Sequence, residues 1–200
     1  MYIVIAEDET DYEAVKVFIE RIAPKKVSVD GCGFDGCGDL VNQGARVLNT
    51  LAKKEVNKFV IVHDCDGHAA DNRRQLVIDK IVKRVTAKGN FCLLIPKEEL
   101  EAWFFADISC VTKIWSGWRV DKDIDKKYPS PENVIKPKEL IKKLSVDQSL
   151  KPRFSTNKNK LLAQHVDLGK IEKKCPSFLP LKRFVVEGLS NYPEDIGAAA

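Results

Sequence analysis

Hydrophobic and polar positions in the first hundred residues alternate between two periods. Residues 1–6, 58–63 and 90–95 are short, nearly continuous apolar runs of strand length, and 26–30 is a weaker run of the same kind. Between them the apolar positions recur at helical spacing. Val15, Phe18, Ile19 and Ile22 form a stripe over 10–22, and Leu40, Val41, Val47, Leu48 and Leu51 one over 39–54. Val77, Ile78, Ile81, Val82 and Val85 do the same over 70–87. Thr10 or Asp11, or the preceding Asp8 and Glu9, are placed to cap the first helix, and Pro24 stops it. Strand and helix thus alternate as βαβαβαβ. That order predicts an α/β fold, with a Rossmann-like, mostly parallel sheet of about four strands and flanking helices.

The pattern changes after Pro96. The segment PKEELEAWFFADISCVTKIW reads as one helix that turns Trp103, Phe104, Phe105 and Trp115 inward. Residues 117–137 are polar and broken by proline, which predicts a long loop, and three helices fit 137–146, 157–173 and 176–190. The reading is an α/β core over 1–106 and a helical extension over 107–200, packed together as one domain.

Composition narrows the class. A chain of 200 residues with 44% apolar content can build one sizeable core. No apolar run approaches the ~20 residues of a membrane-spanning helix, and no basic-then-apolar leader precedes the first strand, so the expected location is the cytoplasm. Cysteines 32, 37, 65, 92, 110 and 175 are expected as reduced thiols, because their spacing with His63 and His68 matches no common zinc pattern. A net charge of +4 permits a nucleic-acid partner without demanding one.

Chemistry concentrates at two strand ends. Glu7, Asp8, Glu9 and Asp11 follow the first strand, and Asp64 and Asp66, in HDCDG, follow the third. In parallel sheets the carboxyl ends of strands open onto the ligand crevice. Carboxylates gathered there repel one another unless a cation joins them, and magnesium takes oxygen donors of this kind with water and phosphate. Helix capping accounts for one or two of these acids at each strand end but not for all of them. Glu98 and Glu101 fall on one face after the fourth strand, either as a solvated helix start or turned to the same crevice. Glycines at 31, 33, 36 and 38 either admit backbone amides to a phosphate or simply make a turn.

Several families resemble parts of this pattern. IVIAEDE resembles the start of a response-regulator receiver domain, although the partners required after the fourth and fifth strands are missing. IVHDCDG resembles the nucleophile motif of haloacid-dehalogenase-type phosphatases. That likeness implies Asp64 as nucleophile and Asp66 as acid/base, with Asp121, Asp123 and Asp125 as the available downstream acids.

The widest resemblance, over roughly residues 1–100, is to the Toprim domain of topoisomerases, primases and OLD-type nucleases. Glu7 ends the first strand with Asp11 four residues on, and Asp64 and Asp66 form the DxD after the third; Asp8 stands where many family members have glycine. EELEAWFFAD and CPSFLPLKRF are also similar to a family of small, uncharacterised Toprim-like proteins, relatives of which accompany ATPase partners in anti-phage systems. The resemblance implies a nuclease acting on DNA or RNA with Mg2+ or Mn2+. Its metal ligands would be Glu7, Asp11, Asp64, Asp66 and Glu101, and its catalytic set Glu7, Asp64, Asp66 and Lys97. Arg73, Arg74, Lys158 and Lys160 are the candidates for nucleic-acid contact. A non-catalytic module binding nucleotide, nucleic acid or a partner is the alternative, and the phosphatase built on Asp64 a third. Tyr2, Tyr12, Tyr128 and Tyr192 do not fit a topoisomerase nucleophile, so water is the expected attacking group.

Overall fold

Both faces of the sheet are covered, which is why its strands read as apolar runs rather than alternating ones. The computed structural model describes residues 1–53, 57–115, 123–145 and 154–192. Four parallel strands, β1 (Tyr2–Ala6), β2 (Val29–Gly33), β3 (Asn57–Val62) and β4 (Gly89–Leu94), lie in the order β2-β1-β3-β4. Helices α1 (Glu9–Ile22), α2 (Cys37–Leu51) and α3 (Ala70–Lys80) make the crossovers. The expected α/β class and parallel sheet are those observed.

Strand periodicity sorts the core into two layers. Tyr2, Val4 and Ala6 of β1 and Val60 and Val62 of β3 face α1, whereas Ile3, Ile5, Phe59 and Ile61 face α2 and α3. The later helices join the α1 side: α4 (Ala102–Phe105), α5 (Val111–Ile114), α6 (Ile124–Lys127), α7 (Pro137–Leu144), α8 (Asn159–His165), α9 (Leu168–Lys174) and α10 (Leu179–Val186). Phe18 of α1 is the hub of that layer, with its ring centroid 5.7 Å from Trp103 and 5.6 Å from Phe178. Helix α1 is therefore held between the sheet and the C-terminal helices. Arg21 strengthens this by donating to the carbonyls of Ala163 (2.5 Å) and Val166 (2.8 Å).

Several elements differ from the sequence expectation. Strand β2 falls at 29–33 rather than 26–30, inside the glycine run. Gly31 pairs with Val4 at a φ of 140°, and a Cβ there would lie 1.8 Å from the Val4 carbonyl oxygen. A Cβ on Gly33 would lie 2.0 Å from the Glu9 nitrogen. These two glycines are required by close backbone approach. Gly33→Ala is expected to cost about 3 kcal/mol, through overpacking that no rotamer change can relieve; an unchanged urea midpoint would refute this.

Helix α3 ends at Lys80 and gives way to a 3-10 turn over Val82–Arg84, so 70–87 is not one helix. The helix expected after Pro96 is broken at Asp107, whose φ of −143° is not helical. The Asp107 carboxylate instead accepts from Ser109 Oγ, the backbone N–H of Asp167 and Lys170 Nζ (2.5 Å). Asp167 likewise splits the helix expected over 157–173, capping α9 with bonds from the N–H groups of Gly169 and Lys170. Within the stretch read as a loop, α6 and a 3-10 turn at Pro131–Asn133 form. Of the acids set aside for the phosphatase reading, Asp121 and the side chain of Asp125 lie outside the described residues. Asp123 is exposed and paired with Lys126.

Strand β4 is an edge strand that the C-terminal segment covers. Asn191 accepts from the Leu93 N–H and donates to the Leu93 carbonyl, both at 2.8 Å, so one side-chain amide stands in for a pairing strand.

Candidate metal centre

The strand order places β1 and β3 side by side at the point where the chain winds off in opposite directions, since β1 leads toward β2 and β3 toward β4. In a doubly wound sheet that is where the crevice opens. Glu7 leaves the carboxyl end of β1 and Asp64 that of β3. The Asp64 N–H donates to Glu7 Oε1 at 2.8 Å, so these two expected site residues meet directly.

The β3 chain remains paired with the β4 chain beyond its last strand residue. His63, Cys65 and Asp66 donate their N–H groups to the carbonyls of Leu94, Pro96 and Glu98. That extension holds HDCD rigid. Asp66 then takes a left-handed φ of 48° and Gly67 one of 75°, turning the chain out toward α3. A φ of this sign is uncommon for an aspartate and fits a constrained functional turn.

Alternation puts the neighbouring residues on opposite sides. Glu7 and His63 share the α2 side. His63, fully buried, has Nδ1 2.6 Å from Glu7 Oε1 and 2.9 Å from the Asp64 carbonyl oxygen. Two acceptors on Nδ1 mean that this nitrogen carries the proton. Glu7 Oε1 is thus committed to two donors, which orients the carboxylate. Asp64 turns to the α1 side, where Asp11 and Glu101 wait.

Asp8 caps α1, accepting from the Asp11 N–H at 2.9 Å and from Thr10 Oγ1 at 2.7 Å, so the cap is neither Thr10 nor Asp11. Asp11 is freed to point inward. Asp64, Asp11 and Glu101 are exposed by only 7%, 4% and 1%. Burial pushes the Asp64 carboxyl well above the usual range, and Asp11, Glu101, Glu7 and Asp66 push it further. Asp11 is raised in the same way by burial, then by Glu101, Asp8 and Glu7, with Lys138 opposing. Glu101 is raised by burial against the opposing pull of Lys138 and of a hydrogen bond from Asn159.

Five carboxylates from four places in the chain therefore share one electrostatic neighbourhood. Asp64 Oδ1, Glu101 Oε2 and Asn159 Oδ1 are buried there with no hydrogen-bond partner. Buried oxygens normally have one. Among the described residues, no three His, Cys, Asp or Glu side chains stand close enough together to form a ready-made ligand set for a metal. In donor chemistry the cluster fits a hard divalent cation, being all oxygen, acidic and short of partners. It does not fit zinc through thiolates. Burial raises the thiol of Cys65, the cysteine between Asp64 and Asp66, which disfavours its thiolate.

Two residues that the sequence did not single out complete this site. Asn159 Nδ2 donates to Glu101 Oε1 at 2.9 Å. Lys138 Nζ lies 4.0 Å from the same oxygen, and its backbone N–H donates to Glu99 Oε2 at 2.9 Å. His63, weighed in the sequence only as a zinc ligand, instead holds Glu7. Its position next to Asp64 was the available signal; for Lys138 and Asn159 none exists in the local sequence.

The other expected residues stand outside the acid cluster itself. Lys97 is exposed and donates to Asn133 Oδ1. Arg73 Nε donates to the Cys65 carbonyl oxygen at 3.4 Å, behind the DCDG turn. Arg74 lines a cleft of about 180 Å³ with Asp71, Ser177 and Asn191. Lys160 is ion-paired with Glu13, and Lys158 is half-buried in the turn that leads into α8.

The family profile described as Domain of unknown function (DUF4276) matches residues 6–184, which run from the last residue of β1 through the other three strands and the acid cluster into α10. The chain belongs to that family. No curated protein and no solved structure matches it. Among the described residues of this DUF4276 chain, no helix is long and apolar enough to cross a membrane.

His63→Phe tests the positioning of Glu7. Losing a buried donor to a carboxylate is expected to cost about 1–3 kcal/mol in a urea titration and to weaken divalent-ion affinity about tenfold. Unchanged ion affinity would show that Glu7 needs no such support.

Proposed function

We propose that this protein is a Toprim-like phosphodiester hydrolase, dependent on Mg2+ or Mn2+ and acting on DNA or RNA. The observation that carries the reading is the meeting of Glu7 and Asp64 at the switch point of the sheet, with Asp11, Asp66 and Glu101 in the same field and buried oxygens left without partners. The resemblance of the two acid motifs to Toprim supports the same reaction, and by that resemblance an ATPase is a candidate partner.

A divalent ion bound there supplies a Lewis acid for a phosphoryl oxygen and a water of lowered pKa. The protein's own part is mostly positional. Glu7, oriented by His63 on the α2 side, and Asp64, fixed by the extended β3–β4 pairing on the α1 side, would be the ligands that hold the ion. Asp66 stands at the exposed lip, where it can take a proton from water or hold the ion through water. Lys97 and Arg73, at the same end of the sheet, bring positive charge toward a phosphate backbone.

The test is a cleavage assay on single- and double-stranded DNA and RNA with each metal, comparing the parent with Asp64→Ala and Glu7→Ala. Metal-dependent cutting by the parent, lost in both variants, is the expected result. Rapid hydrolysis of a small phosphomonoester with an aspartyl phosphate trapped at Asp64 would replace this reading with the phosphatase. Ion binding without turnover would replace it with a non-catalytic module.

A further inference from the structure

Resting on the hydrolase reading, we propose that the substrate is single-stranded nucleic acid and that a cleft beside the acid cluster takes one of its unstacked bases. The cleft has a volume of about 380 Å³ and an apolar wall of Tyr128, Pro129, Val134, Ile135 and Leu140. That volume is in the range of sites for small organic ligands. Ile135 is 77% exposed there, the most exposed of the large apolar side chains among the described residues. Tyr128 is half-buried with its ring 5.6 Å from Phe105, which anchors the wall to the core. The turn that presents Ile135 is constrained. Lys136 has a φ of 52°, uncommon for a residue with a long side chain, and backbone held in this way is characteristic of functional turns.

Two connections place the cleft beside the acids. Asn133, on its wall, accepts from Lys97, and the next residue, Glu98, accepts the Asp66 N–H with its carbonyl. Leu140 lies in α7 with Lys138, whose N–H donates to Glu99 and whose Nζ stands 4.0 Å from Glu101. A strand that presents a phosphate to the acids therefore passes the cleft with a neighbouring nucleotide. Charge selects the occupant. Lys97, Lys127 and Lys136 stand around the cleft, and among the described residues no acidic side chain lines it. An aromatic and apolar wall inside a lysine rim fits a polyanion that carries flat apolar groups, which is an unpaired strand. In a duplex the bases are already stacked and turned inward. An acidic peptide would meet the lysines but leave the wall uncovered.

The test measures binding rather than cutting. Fluorescence anisotropy of the full chain follows a labelled oligothymidylate of about ten nucleotides and a duplex of equal length, with Ca2+ replacing Mg2+. The parent is expected to bind the single strand at least about tenfold more tightly than the duplex. Tyr128→Ala and Ile135→Ser should each weaken the single strand about tenfold and leave the duplex unchanged, while Tyr128→Phe binds as the parent does. Circular dichroism reports on the fold of each variant, and the exposed Ile135 decides the matter if Tyr128→Ala does not fold. Equal binding of the two forms, no binding, or a folded Ile135→Ser that binds as the parent does would overturn the inference. So would displacement of the strand by polyglutamate at matched charge, which would assign the cleft to an acidic chain. Cleavage by a chain that fails these tests leaves the hydrolase standing; the expected binding pattern without any cleavage keeps the cleft and removes the hydrolase.

Discussion

Asp64→Asn is expected to abolish metal-dependent cleavage and, in the same molecule, to stabilise the metal-free fold. A ligand that helps hold the ion against the phosphoryl group supports several kcal/mol of transition-state stabilisation, so its loss should lower the rate by about three orders of magnitude. The stability change has the opposite sign. Asp64 is almost fully buried, one of its oxygens has no partner, and four other carboxylates act on it. A neutral amide of the same shape relieves that repulsion and supplies a donor toward Asp11 or Glu101. We expect a gain of about 1 kcal/mol in metal-free unfolding, the usual trade between function and stability at such a site. Chemical denaturation and a cleavage assay on one preparation check both halves. A variant that still cuts, or that is less stable than the parent without metal, would remove Asp64 from the role given to it.

The second large effect is on pH. Asp11, Asp64 and Glu101 all have folded-state pKa values above their unfolded ones. Between the ordinary carboxylate range and those raised values the native state binds more protons than the unfolded state. Stability from these groups is therefore complete below the unfolded pKa and is lost as pH rises through the folded values. Asp107 acts the other way. Burial would raise it, but hydrogen bonds from Lys170, Ser109 and the Asp167 N–H hold it below its ordinary value, so its contribution is lost on acidification. The metal-free protein should accordingly be most stable in mild acid and melt lower at pH 8 than at pH 5.5. A divalent ion should reverse the alkaline loss. At a concentration a hundredfold above Kd it adds about 2.7 kcal/mol, roughly 5–10 °C for a chain of this length. A melting temperature that climbs steadily from pH 5.5 to 8 and ignores Mg2+ and Mn2+ would contradict the electrostatic account of the site.

Much of this arrangement could be read along the chain. Glu7, Asp64 and Asp66 were legible because each follows an apolar run that can only be a covered parallel strand, and strand ends are where a parallel sheet presents its chemistry. Asp11 and Glu101 were legible through spacing and resemblance, but their burial was not. The helix lengths after Pro96 differ from expectation because the Asp107 carboxylate takes the Asp167 N–H and Lys170 as partners from far along the chain, and the Asp167 carboxylate starts a new helix by capping α9. The glycines of β2 looked like a loop because crowding against Val4 and Glu9 is a property of the paired strands.

The sequence by itself determined the βαβ order, the parallel sheet and the presence of acids at its carboxyl edge, since periodicity and strand ends are local properties. Only the tertiary structure decided which acids share a field and what stands against them. Lys138 and Asn159 reach Glu101 from 37 and 58 positions away along the chain, carried there by the packing of α7 against α4 and of α8 against α1. Electrostatic energy depends on distance through space and on burial, and neither is written in the spacing of residues along the chain.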